Sequence, residues 1–225
     1  IYGKSPYKSP TDMGVNMAGN CICDDEACRE ASGQEIIRRY YAALNDLLKG
    51  TCSEEPAQKI ELLMNQAGVT IQDRKVVAAA LNRAQETQSP AAALELPDGR
   101  IITGKTSNLL GASAALLLNV LKELAGLGHE LHIISPEAIE PIQKLKVDYL
   151  KSRNPRLHTD EVLIALSTSA AANEDARLAL EQLPKLHGCQ AHTSVMLSDV
   201  DIKTFQKLGV QLTCESVYES GHGYY

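Results

Sequence analysis

The residues from Gly99 to Thr106 spell G-x-x-x-x-G-K-[ST], the letters of a phosphate-binding loop. In such a loop the four intervening residues wrap amides around phosphates, yet here they are Arg100-Ile101-Ile102-Thr103, which read as a strand. A narrower expectation survives. If Gly104, Lys105, Thr106 and Ser107 join that strand to the apolar segment after it, their amides and two hydroxyls gather at the positive end of a helix, beside a lysine. That is an anion site, suited to phosphate or carboxylate. The same residues also suit a plain helix start, with Thr106 or Ser107 as cap and Lys105 in water.

A second cluster is His158-Thr159-Asp160-Glu161, which follows Arg153 and Arg156. His158 could serve there as general acid or base beside the carboxylates of Asp160 and Glu161. The competing reading is a capped helix start, with Thr159 as cap and two acids in the first turn. Near the beginning, Lys4-Ser5-Pro6 is echoed by Lys8-Ser9-Pro10. The prolines disfavour helix and predict an extended arm, in which Lys4, Lys8 and Ser9 either contact an anion or merely link.

Other pairings carry less. Cys189 and His192 are three apart in a strand-like run, a spacing that faces them opposite ways and denies them a nucleophile pair. Cys21, Cys23 and Cys28 lack the second arm of a zinc site, so no metal is expected. No cofactor is named by the residues.

Aromatic residues are only 4% of the 225, so the core must be Leu, Ile, Val and Ala, which suits helices packed on a sheet. A net charge of −6 argues against a nucleic-acid partner. The longest apolar stretch, Leu109 to Leu121, is interrupted by Gly111, Ser113 and Asn119 and is too short for a membrane span. Six cysteines in a chain of this size read as reduced thiols and a cytoplasmic setting. Ile1 and the run Tyr2–Pro10 read as the interior of a longer protein, of which this chain would be the C-terminal portion.

Periodicity predicts three amphipathic helices between Asp24 and about Gln85, so residues 1–88 are expected to form an arm plus a helical subdomain. Residues 89–225 are expected to form an α/β subdomain. Asp98-Gly99 predicts a hairpin turn between Ala91–Leu96 and Arg100–Thr103. An apolar helix is predicted from about Asn108 to Leu127, a strand at Glu130–Ile134, and a helix start at Ser135-Pro136-Glu137. Helices opening at Thr159 and Asn173 follow, then a strand, a helix from Asp199 closed by Gly209, and a last strand at Val210–Cys214. This alternation means a mixed sheet covered by helices.

Three stretches together carry a resemblance: Ser5-Pro6-Tyr7-Lys8-Ser9-Pro10-Thr11-Asp12-Met13-Gly14-Val15-Asn16, then Gly104-Lys105-Thr106-Ser107 with Leu109-Leu110-Gly111-Ala112-Ser113. The third runs from Ile134-Ser135-Pro136-Glu137 to Asn154-Pro155-Arg156-Leu157-His158-Thr159-Asp160-Glu161. Over nearly all its length the chain resembles the bacterial domain-of-unknown-function family 1846, also called uncharacterised protein family 0371. The resemblance implies relatives about twice as long, whose C-terminal half this chain would be, with a Gly-rich, P-loop-like stretch in the other half. It also implies a helical subdomain followed by a three-layer α/β subdomain of cytidine-deaminase-like topology. Zinc deaminases set H-x-E and P-C-x-x-C at two helix starts. The corresponding Gly104–Ser107 and Ser135–Glu137 hold neither His nor Cys, so zinc deamination is not expected.

The family name brings no activity. The expectation is an enzyme dependent on a nucleotide or a phosphorylated small molecule, with an anion site at a helix N-terminus. Its rival is a non-catalytic assembly or regulatory half. Expected partners are that small molecule, further copies of the chain in a homo-oligomer, and the N-terminal half of the same protein.

Overall fold

The computed structural model describes residues 24–219, which belong to two compact units parting between Arg74 and Lys75. Lys4, Lys8, Ser9, Cys21 and Cys23 lie outside the described residues.

The first unit is helical. α1 (Asp25–Leu48) starts on Asp24, whose carboxylate accepts the Ala27 amide at 2.9 Å, and Asp25 and Glu26 oppose the positive end of the helix. Its buried face carries Ile37 and Tyr41 and packs on α2 (Glu55–Ala67), which Gly68 closes in the left-handed conformation. A 3-10 turn, Ile71–Asp73, follows and is tied to α1 by the Gln34 amide on the Asp73 carbonyl. α2 leaves Leu62 and Leu63 exposed.

The second unit begins with α3 (Lys75–Thr87). Periodicity groups this helix with the two before it, but its buried residues Val76 and Ala80 pack on Ala93 of the sheet. Its apolar stripe has a sheet face to cover, and that assigns it here. The hairpin of β1 (Ala91–Glu95) and β2 (Ile101–Lys105) turns at Gly99, φ 84°, a conformation that glycine adopts without cost. β3 (Gln190–Thr193) pairs antiparallel with β1, and β4 (Gln211–Cys214) pairs parallel with β3. The four-stranded sheet is therefore mixed, in the order β2-β1-β3-β4.

Alternation along β1 sends Ala93 to the α3 side and Ala92 and Leu94 to the main core. There α4 (Ala112–Leu124) lies on β1 and β2, its Leu116, Leu117, Val120 and Leu121 wholly buried. α6 (Thr159–Ser169), α7 (Glu174–Leu180) and α8 (Asp199–Lys207) complete that layer; α5 (Pro136–Lys144) runs into a π-helical turn, Leu145–Tyr149.

Gly104 explains the false phosphate-loop signature. It lies within β2, and a Cβ built there would fall 2.2 Å from the Leu116 nitrogen. The glycine is needed so that strand and helix backbones can meet, not to cradle a phosphate. The predicted strand Glu130–Ile134 is absent: Ile133 and Ile134 are buried in irregular backbone, and the Lys122 ammonium takes the carbonyls of His129 and Leu131. The Leu131 carbonyl, within the segment, is thus taken by a side chain rather than by a neighbouring strand.

Candidate active site

α4 begins one turn later than its apolar pattern predicts. Ser107 makes a local turn, its Oγ accepting the amides of Leu109 and Leu110 and its own amide bonding the Leu110 carbonyl. The helix then starts at Ala112 with Gly111 in the cap position, a residue with no side chain to offer. Its first backbone bond runs from Ala115 N–H to the Gly111 carbonyl. The amides of Ala112, Ser113 and Ala114 therefore have no partner among the described residues, although all three residues are buried. A helix start both buried and uncapped is a place for a ligand oxygen. Ser113 adds a second observation. It is 2% exposed, its hydroxyl makes no hydrogen bond among the described residues, and it lines a recess facing this helix start.

α6 and α8 begin at the same recess, which lies past Thr106 at the end of β2 and near Val195 beyond β3. His158 caps α6, and Ser198 caps α8 by accepting the Asp201 amide. His158 Nδ1 donates to Asp201 Oδ2 at 2.9 Å, and the Ser198 hydroxyl donates to the same oxygen at 2.7 Å. The other oxygen, Oδ1, accepts both the amide and the hydroxyl of Thr159, each at 2.9 Å. Asp201 is 4% exposed, so these four donors replace the water it has lost. The His158 ring also faces the recess, and its Nε2 has no hydrogen-bond partner among the described residues.

The two groups shift each other. The hydrogen bond to Asp201 pushes the His158 imidazolium up from its ordinary value; burial opposes this, and the Asp201 charge assists it. Burial pulls the Asp201 carboxyl upward, but the His158 bond and charge, with Ser198 and Thr159, outweigh it and hold the group below the usual carboxylate range. The result is a buried carboxylate anchoring a histidine whose second nitrogen is available for proton transfer.

Two further arrangements fix this geometry. Lys146, on the π-helical turn, donates to the Arg156 carbonyl at 2.6 Å and to Glu161 Oε2 at 2.7 Å, and the same oxygen accepts the His158 amide. Arg156 pairs with Glu219 at 2.7 Å, both on the recess wall, with other donors of the guanidinium fork uncommitted among the described residues. The recess itself has a volume of about 20 Å³, room for a water-sized group. It shares Pro90, Thr106, Arg156, Val195 and Glu219 with an open cleft of about 660 Å³, whose other walls include Leu81, Ala84, Val217 and Tyr218.

Of the residues singled out by sequence, His158 and Thr106 line the recess. Gly104 lies beneath α4, and Lys105 is exposed on β2. The Thr106 amide is spent on the Pro90 carbonyl, so residues 104–107 offer no amide cradle. Asp160 accepts the Glu161 amide, and Glu161 braces Lys146 and the His158 backbone; neither lines the recess. Cys189 is buried and its thiol pushed up by desolvation, whereas the His192 ring is held by Thr213 and Glu215. Asp201, Ser113 and Arg156 are the site residues that sequence reasoning missed. Ser198-Asp199-Val200-Asp201 reads locally as a capped helix start and nothing more.

Two family models match this chain: the N-terminal part of the domain of unknown function DUF1846 over residues 1–68, and its C-terminal part over residues 72–224. A UPF0371 protein of Corynebacterium urealyticum is 58% identical over 97% of this chain and 44% of its own length. One from Corynebacterium efficiens is 57% identical, and one from Streptococcus pneumoniae 52%, over the same shares. The chain thus spans less than half the length of these curated relatives. Among the described residues, no helix is long and apolar enough to cross a membrane.

Proposed function

The chain belongs to the DUF1846 family, and we propose that its second unit carries the active site of an enzyme that works on a small metabolite by acid–base chemistry. The carrying observation is that His158, anchored by Asp201 through Nδ1 and with Nε2 unbonded among the described residues, lines the recess where α4 starts uncapped. A negatively charged oxygen of the metabolite, from a carboxylate or a phosphate, rests on the amides of Ala112 and Ser113. Arg156 adds a fork donor. The body of the metabolite lies along the larger cleft, and His158 carries the proton. A nucleotide or another phosphorylated compound remains within this class, with the proposed contact moved from Gly104–Ser107 to Gly111–Ser113.

Thermal unfolding of the full chain with inorganic phosphate, acetate and a panel of nucleotides and phosphorylated metabolites tests the reading. A ligand at a hundred times its Kd adds about 2.7 kcal/mol, and Arg156→Ala and His158→Ala each diminish the shift. No shift with any ligand, or an undiminished shift in both variants, removes the recess as a binding site.

A second reading has separate support. Leu62 and Leu63 stand exposed on α2, and adjacent apolar side chains suit pairing between copies of the chain. This would be the assembly role. Sedimentation across a concentration series would then show a rising mass that Leu62→Glu lowers. A monomer at every concentration ends that role.

A further inference from the structure

We infer that Ser113 is a nucleophile and that the recess performs acyl transfer from a carboxylic ester or thioester. This rests on the preceding reading of the recess as a site for a ligand oxygen, and it names the substrate class and the group that is attacked.

Ser113 stands in the first turn of α4, where a serine hydroxyl ordinarily bonds nearby backbone. Here it bonds nothing among the described residues, although the residue is only 2% exposed and lines the recess. The fold gives no reason for it. Chemistry does, because His158 lines the same recess and is in turn oriented by Asp201. Nucleophile, base and orienting carboxylate are the three roles of an activated serine. The uncapped amides at the start of α4 supply the fourth part, donors for a developing oxyanion.

Charge selects the substrate. Arg156 is paired with Glu219, and His158 acts as a base only when neutral, so a single negative charge suits the recess better than a phosphate dianion. The positive end of a single helix matches the one negative charge of a tetrahedral acyl intermediate. Size agrees, since a space for one water-sized group takes a carbonyl oxygen.

Ser113 Oγ bonds to the carbonyl carbon as its proton passes to His158 Nε2, and the carbonyl π pair moves onto oxygen, facing the α4 amides. Collapse breaks the carbon–oxygen or carbon–sulfur bond of the leaving group, which takes the proton from His158. An acyl-serine remains. Water then attacks with His158 again as base, releasing the carboxylic acid and restoring Ser113.

The full chain is treated with a fluorophosphonate, which phosphonylates activated serines with loss of fluoride, and with p-nitrophenyl acetate. Intact-mass and peptide analysis should find one phosphonyl adduct, at Ser113, and p-nitrophenolate should appear in a burst. Ser113→Ala should lose both, whereas Ser113→Cys should keep an acetyl burst, which guards against a folding artefact. Asp201→Asn should slow labelling on the order of 100-fold. An unlabelled Ser113, or one labelled equally fast in Asp201→Asn, overturns the nucleophile. If phosphate or acetate still raises Tm in that case, the acid–base reading stands without it; if neither does, both fall.

Discussion

Asp201 reaches His158 across 43 positions of sequence, with Oδ2 2.9 Å from Nδ1, while its other oxygen takes the amide and hydroxyl of Thr159. One carboxylate thus binds the ring of the α6 cap and the first residue of α6 at once. The start of α8 and the start of α6 are pinned to each other.

The pair sets a pH dependence. His158 is raised on folding, so its contribution is whole below the unfolded value, about 6.5, and is lost as pH rises through the higher folded value. Asp201 is lowered, so its contribution is whole above about 3.9 and is lost as pH falls through the lower folded value. Asp201→Asn should therefore cost most stability at about pH 5 to 6 and less above neutrality. Urea unfolding of both proteins across pH measures this, and NMR titration of the His158 ring should show its midpoint falling in the variant. A pH-independent difference contradicts it.

Gly104 and Lys105 should behave as opposites. Gly104→Ala drives a methyl into the Leu116 backbone and should cost about 3 kcal/mol or more. Lys105→Ala, at an exposed site, should stay within about 0.5 kcal/mol. Denaturant midpoints of the two variants decide the matter; a stable Gly104→Ala would show that strand and helix are not in close contact.

Lys146→Met leaves the half-buried Glu161 carboxylate and the Arg156 carbonyl without their partner. Breaking one side of such a pair costs about 3–5 kcal/mol. Hydrogen exchange should also quicken at the His158 amide, which shares that carboxylate. Unchanged exchange would mean that the lysine does not brace the site.

Asn173 should report on α7 alone. Its side-chain oxygen accepts the amides of Asp175 and Ala176, and Asn173→Ala should cost about 1 kcal/mol by thermal unfolding. The ligand-induced shifts of the recess should be retained.

What the sequence discloses follows the range of each interaction. The Asp98-Gly99 hairpin and the helix openings at Asn173 and Asp199 are legible because their chemistry is complete within four residues. The start of α4 is not, because Leu109 and Leu110 continue the apolar pattern while Ser107 holds their amides in a turn. The segment 130–134 alternates like a strand, but Lys122 of α4 takes the carbonyl of Leu131 and that of His129 just before it. His158 is visible as a candidate; its carboxylate partner is not, since the neighbouring Asp160 and Glu161 look equally suited and serve the helix start instead. Only the tertiary fold selects Asp201.

The span between His158 and Asp201 also orders events on the ribosome. The uncapped start of α4 and the His158 loop are synthesised first, and the residue that orients the imidazole comes more than forty positions later. Between them lie α6, α7 and β3, whose pairing with β1 has to close a loop of about a hundred residues from Ala92 to Thr193. A nascent chain halted before Ser198 would display a histidine with no anchor beside an uncapped helix start. The geometry of the recess is therefore complete only once α8 has emerged.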